Sequence, residues 1–272
     1  MSPRTLAAAL AALAVTAPAL AAVPAPAAEA PAAPKYVVVA RTATTSVEAG
    51  AGVVRIVGRV RPRAAGEKVH LLQRLPGSRR WTRTDTDRLD RKGRFVLVDR
   101  PSRPGVRSYR VLKPASDGLR AGRSAAVPVE VLGWERLSDL EPWAGCGLQS
   151  GVTVAIGGTS YPASLLFTGY GPGPCLPYVV HDLDGRCRTL RATYGHVDGA
   201  TQPGAVSTVT VSADGTLREY YRLESGGRSF VDEELDISGV QRLTLGFSGS
   251  NIDPAAPPSH VAAGTPEVLC LP

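Results

Sequence analysis

YVVHDLDGRCRTLRATY, residues Tyr178–Tyr194, is the stretch whose reading decides the fold class. It breaks into two β-strands meeting at an Asp184-Gly185 turn. Leu183, Leu190 and Ala192 are placed to enter a core, and Cys187 opens the second strand. A counterpart lies downstream in LDISGVQRLTLGF, residues 235–247, where Leu243, Leu245 and Phe247 alternate with Arg242, Thr244 and Gly246. Alternation at period two, bounded by Gly and Asp, marks half-buried strands. With VSTVTVSADG (206–215) between them, these stretches predict an antiparallel β-sandwich with no place for a helix-based active site.

The chain opens differently. MSPRTLAAALAALAVTAPALAA has a basic start at Arg4, an apolar run and Ala-Leu-Ala at 19–21, the layout of a secretory signal peptide. Cleavage is expected after Ala21, with Ala27 or Ala28 as the alternatives, so residues 1–21 are read as signal peptide. The run is broken by Pro18 and falls short of the ~20 apolar residues of a membrane span. No Cys follows it to carry a lipid. Residues 22–35 are rich in Ala and Pro and read as an extended linker. An exported, extracellular protein without membrane insertion is expected.

About 235 residues remain, enough for two domains of ordinary size. Charge divides them: residues 36–132 hold 21 Lys and Arg against 8 Asp and Glu, whereas 133–272 hold 8 against 15. The shift places a boundary near 133. All four cysteines, Cys146, Cys175, Cys187 and Cys270, fall in the acidic half. In an exported chain an even number suggests two disulfides, with three possible connectivities. Cys146–Cys175 with Cys187–Cys270 is the preferred one. No Cys-x-x-Cys or finger-like spacing nominates a metal site, and no cofactor is expected.

The basic half parses into seven short strands, 36–42, 53–62, 68–75, 81–89, 94–99, 108–113 and 127–132. Val54, Ile56 and Val60 alternate with Arg55, Arg59 and Arg61, so one face packs and the other is cationic. Gly58–Pro62, Arg80-Trp81, Asp90–Phe95 and Tyr109–Val111 resemble the motifs of bacterial Ig-like repeats in secreted actinobacterial proteins. That resemblance implies an Ig-like β-sandwich over 36–132, serving as spacer or adhesion unit, without an inter-sheet disulfide. The arginine face could neutralise an anionic wall polymer. Export and the lack of interleaved exposed aromatics argue against nucleic acid.

The acidic half resembles the NPCBM domain (novel putative carbohydrate-binding module). The resemblance rests on Leu137-Ser138-Asp139-Leu140 with Trp143, Gly157–Tyr161, Asp182–Gly185, Leu190–Gly195 with Asp198, Val211–Gly215 and Leu235–Leu245. It implies a galactose-binding-like jelly roll over 133–272 and a glycan or cell-wall polysaccharide as partner. Two of that family's segments are replaced here by LLFTGYGPGPC and HVAAGTPEVLC. Sugar sites pair aromatic rings with a few polar groups, which nominates Trp143, Tyr161, Tyr170, His196 and Asp198. Trp143 could equally cap the core, Tyr161 after its Gly-Gly turn reads more as a packed strand residue than as a ligand contact, and Tyr170 could equally anchor its loop.

Catalysis is not expected. His181-Asp182 are neighbours on a strand and point to opposite faces. No nucleophile elbow, zinc helix or phosphate loop is present, and Glu233-Glu234 reads as a turn-like acidic run. The sequence thus predicts a secreted, non-catalytic carbohydrate- or envelope-binding protein. The alternative is a structural or adhesion protein whose basic half associates with wall polymer and which has no sugar site.

Overall fold

The computed structural model describes residues 34–168, 176–225, 230–249 and 259–272. The protein is all-β, with several antiparallel sheets and, among the described residues, one turn of 3-10 helix at Leu137–Asp139. Residues 34–272 form one compact unit.

In its first part β1 (Val37–Arg41), β3 (Val54–Arg61) and β6 (Arg94–Asp99) make a three-stranded sheet. Against it lies a second sheet of β5 (Thr82–Arg88), β4 (Lys68–Arg74), β7 (Gly105–Lys113) and β9 (Val127–Arg136). The short β2 (Ser46–Glu48) and β8 (Gly122–Arg123) join that sheet at β9 and β7. Val54, Ile56, Val60, Val69, Leu71, Leu97, Tyr109 and Val111 fill the space between, each at most 1% exposed. The alternation predicted for Val54–Arg61 holds: Val54, Ile56 and Val60 are inside, the arginines outside. Gly58 is needed because a Cβ there would lie 2.0 Å from the Val39 carbonyl oxygen.

The second part is a sandwich of two sheets. One orders β10 (Ala144–Cys146), β13 (Tyr178–Asp182), β18 (Arg242–Gly249), β15 (Val206–Ala213) and β16 (Thr216–Glu224). The other contains β11 (Gln149–Ile156), β12 (Thr159–Phe167), β19 (Val261–Cys270), β14 (Cys187–His196) and β17 (Phe230–Asp236). Leu183, Leu190, Ala192, Leu243, Leu245 and Phe247 all enter the core between them, as their spacing predicts. The Asp184-Gly185 turn forms, both residues at positive φ. Its two strands do not pair with each other, however: β13 pairs β18 and β14 pairs β17 and β19, so the turn carries the chain from one sheet to the other. Glu233 and Glu234, read from sequence as turn-like, lie within β17.

The two parts are joined by a strand. β9 pairs β7 through Val127–Val131 and continues without interruption to pair β19 through Gly133–Arg136. Side chains brace the join. Arg186 makes a two-pronged pair with Glu135 at 3.0 and 3.1 Å, and Trp134 Nε1 donates to Glu48 at 3.0 Å. The Cys187–Cys270 disulfide locks β14 to β19 beside it. Cys175 lies outside the described residues.

Candidate functional site

Five residues were nominated from sequence, and the structure does not bring them together. Trp143 is 59% exposed beside β13, its backbone N–H donating to Val180 and the Arg242 guanidinium 4.0 Å from its ring centre. That arginine also grips Asp182 at 2.7 Å, which holds it over the ring. Tyr161 lies on β12, in the opposite sheet. His196 points into the sandwich, 5% exposed, with Nε2 2.9 Å from the Ser207 hydroxyl; burial pushes its pKa down. Asp198 fastens the β11–β12 turn, its two carboxylate oxygens accepting from the Gly157 and Gly158 N–H groups at 3.0 and 2.8 Å. Tyr170 lies outside the described residues.

Around Tyr161 a site does assemble, on the outer face of the β12–β19–β14–β17 sheet. The core takes Leu190, Ala192 and Tyr194 from β14, so Arg191 and Thr193 between them face outward. Register places Arg191 opposite Glu267 and Glu234, and Thr193 opposite Gly264 and Asp232. The Tyr161 ring rests on Gly264: a Cβ there would lie 2.7 Å from the ring. Glycine at 264 therefore lets an aromatic ring lie against bare backbone. Beneath it, Val154, Ile156 and Ala262 form a small apolar cluster against which Tyr161 packs.

The polar groups beside the ring are fixed. Thr193 Oγ1 donates to Asp232 Oδ1 at 2.5 Å. Arg191 donates through Nε and a terminal nitrogen to one Glu267 oxygen at 2.9 and 2.7 Å, and stacks 3.8 Å over Trp134. An ion pair plus a stacked ring leaves that guanidinium one orientation, which reduces the side-chain entropy lost on binding. Together these groups border an open depression of about 440 Å³ with Tyr161, Arg191, Thr193, Asp232, Glu234 and Glu267 in its wall. Counting Glu233 and Thr265, which also line it, its chemistry is one phenol ring, one cation, four carboxylates and two threonine hydroxyls: acceptors and donors for hydroxyls beside an apolar platform.

No family model and no curated protein matches the chain. Solved structures do. One is a CBM51 module from Clostridium perfringens GH95 in complex with methyl-galactose, 15% identical, covering 50% of this chain and 99% of that one at a TM-score of 0.40. A second is CBM51-2 with the INT domains of C. perfringens ZmpB, in complex with GlcNAc, 12% identical over 62% of this chain and 38% of that chain, TM-score 0.42. A third holds the M60 catalytic domain of ZmpB with both its CBM51 domains, 13% identical over 86% of this chain and 31% of that one, TM-score 0.42. Each of these neighbours contains a CBM51 carbohydrate-binding module, and this chain spans well under half of the two ZmpB structures.

Two groupings missed by sequence reasoning define the depression. Arg191 and Thr193 carried a signal, being the polar phase of a strand whose other phase is core. Asp232, Glu234 and Glu267 carried none, because only long-range register brings them to Tyr161. His181 and Asp182, rejected from sequence as a catalytic pair, divide as expected, His181 buried at 2% exposure and Asp182 exposed. Among the described residues neither ring nitrogen of His181 has a hydrogen-bond partner, and burial pushes its pKa down.

Proposed function

We propose that this chain is an exported, non-catalytic carbohydrate-binding protein, an NPCBM-like jelly roll carried on an Ig-like module, which holds a glycan on the outer face of the β12–β19–β14–β17 sheet. The observation that carries this reading is the Tyr161 ring seated on Gly264 within reach of Arg191, Thr193, Asp232 and Glu267. A pyranose face can lie on such a ring while its hydroxyls meet the carboxylates and the guanidinium. Asp232 and Glu267 already accept bonds from Thr193 and Arg191. Carboxylates held in that way suit hydroxyl capture better than proton delivery to a glycosidic oxygen.

A glycan array probed with the full chain tests the reading. Binding to a restricted set of glycans, weakened about tenfold by Tyr161→Ala and by Asp232→Asn, is the expected result. Undiminished binding by Tyr161→Ala, or release of sugar from any bound glycan, defeats it. Amino-terminal sequencing of protein recovered from the culture medium checks export, with cleavage after Ala21 expected.

A further inference from the structure

The outer face of the β1–β3–β6 sheet is a second surface, independent of the sugar face, whose chemistry points elsewhere. Register lays out its side chains. Arg41, Val57 and Val96 lie in one row; Val39, Arg59 and Arg94 in the next; Val37 and Arg61 in a third. Arg55 lies opposite Val98 farther along. All five arginines are exposed, and Val37 and Val39 are 55% and 63% exposed. Among the described residues no carboxylate oxygen comes within 4.0 Å of any of the five guanidinium groups, although the Arg94 backbone N–H donates to Asp90 at 2.8 Å. Four of them, with those valines, border an open depression of about 750 Å³.

Two features set this face apart from an ordinary solvated one. Arg59 stands directly opposite Arg94, and like charges directly opposite on a sheet are destabilising. In the cysteine-bearing part, by contrast, Arg186, Arg188, Arg191, Arg222 and Arg242 each have a carboxylate. A flat array of uncompensated guanidinium groups spaced by isopropyl groups fits a linear polyanion with a flexible aliphatic backbone. Residues two apart on a strand are about 6.7 Å apart and neighbouring strands about 4.8 Å, so successive anionic groups of one chain can each meet a guanidinium. Phe95, the aromatic residue bordering the depression, is 3% exposed and packed into the core, so no ring face is presented for the stacking a base or a pyranose would need.

We propose that this face binds a polyol-phosphate chain, Arg41, Arg59, Arg61 and Arg94 pairing with successive phosphodiesters and the valines contacting the polyol carbons. The test uses the full chain and chemically defined poly(glycerol phosphate), with oligothymidylate and polygalacturonate of equal charge as comparison polymers. Affinity is measured by titration calorimetry across a salt series. Affinity for poly(glycerol phosphate) should fall linearly in a log–log plot against salt. Arg59→Gln with Arg94→Gln should weaken it by at least tenfold and lower the slope by roughly 1.4–1.8. The equally charged change Arg79→Gln with Arg80→Gln, on the exposed β4–β5 loop, should leave both close to the parent values, and each variant should melt no lower than the parent. Equal losses from the two double variants would reduce the effect to net charge and overturn the proposal. Equal or tighter binding of oligothymidylate or polygalacturonate would overturn the assignment to a polyol phosphate.

Discussion

Two sheet faces of this molecule are turned to solvent and built on opposite rules. On the outer face of β12–β19–β14–β17 Arg191 is paired with Glu267, Asp232 accepts from Thr193, and one ring lies on bare backbone. On the outer face of β1–β3–β6 no guanidinium has a carboxylate within 4.0 Å among the described residues, and the bordering Phe95 ring is buried. The first arrangement holds its groups in place before a ligand arrives. The second leaves its charge for the ligand to neutralise. What differs is where electrostatic energy is satisfied, within the fold or by a partner, and salt should tell the two apart: polyanion capture fades with ionic strength, and sugar capture changes little.

The parts bearing these faces also differ in how they are stabilised, and the largest expected effect comes from there. The basic part contains no cysteine and relies on its apolar core. The other closes 83 residues with Cys187–Cys270, both sulfurs fully buried. On the chain-entropy account, removing such a bridge costs roughly 4–5 kcal/mol. Cys187→Ala with Cys270→Ala, followed by urea titration, should show that loss while leaving poly(glycerol phosphate) binding intact. Concurrent loss of polyanion binding under native conditions would show that the two parts do not stand separately.

Next in size is Gly264→Ala. The added methyl would lie 2.7 Å from the Tyr161 ring, and the ring must move. Forcing a methyl into such a contact costs about 1–3 kcal/mol. Glycan binding should drop at least as far as in Tyr161→Ala, with the arginine face unaffected. A variant that melts lower yet binds glycan normally would place the sugar somewhere other than against Tyr161.

Acid should separate the parts more gently. His181 and His196 are buried in the cysteine-bearing part and their pKa values are pushed down by desolvation. In the unfolded chain each titrates near 6.5, so below that pH the unfolded state binds more protons. Stability is therefore full above about pH 6.5 and falls as pH drops toward the folded-state values, by at most about 1.4 kcal/mol per pH unit for each histidine. The basic part has only His70, half-buried and hydrogen-bonded to Thr86, its pKa lowered by burial and then by Arg83 and Lys68. His181→Leu, which removes two unpartnered ring nitrogens, should flatten the acid dependence measured by thermal melts between pH 5 and 7. An unchanged slope would mean that His181 finds a proton acceptor on protonation.

Sequence reading reached the all-β class and the phase of the strands because burial imposes a period of two on residues such as Leu243, Leu245 and Phe247. It singled out Tyr161 because an aromatic after a Gly-Gly turn is locally conspicuous, though it read the ring first as a packed one. It did not reach strand partners. The Asp184-Gly185 turn is legible as a turn, but whether its strands pair or part depends on β18 and β19, about 60 to 80 residues away. The charge shift near 133 reflects surface side chains, while the backbone ladder of β9 passes through it unbroken. Asp198 was nominated for its carboxylate, and its hydrogen bonds to Gly157 and Gly158 follow from a close approach that no local pattern encodes.

The smallest expected effect bears most directly on why the two faces differ. If the arginines on β1–β3–β6 merely reflect composition, nothing opposes relieving their repulsion. Arg94→Glu places a carboxylate opposite Arg59 and beside Arg61, converting a like-charge pair into an opposite-charge pair. Cross-strand pairs of this kind contribute about 0.2–1 kcal/mol relative to neutral ones, and the site is exposed, so a gain at the low end of that range is expected. The same change should abolish binding of poly(glycerol phosphate) at physiological salt. Stability rising as binding falls would mark the uncompensated arginines as retained for a ligand, at a cost to the fold. If Arg94→Glu leaves binding intact, the arginine face joins the ordinary solvated surfaces, and the contrast with the Tyr161 face becomes one of charge alone.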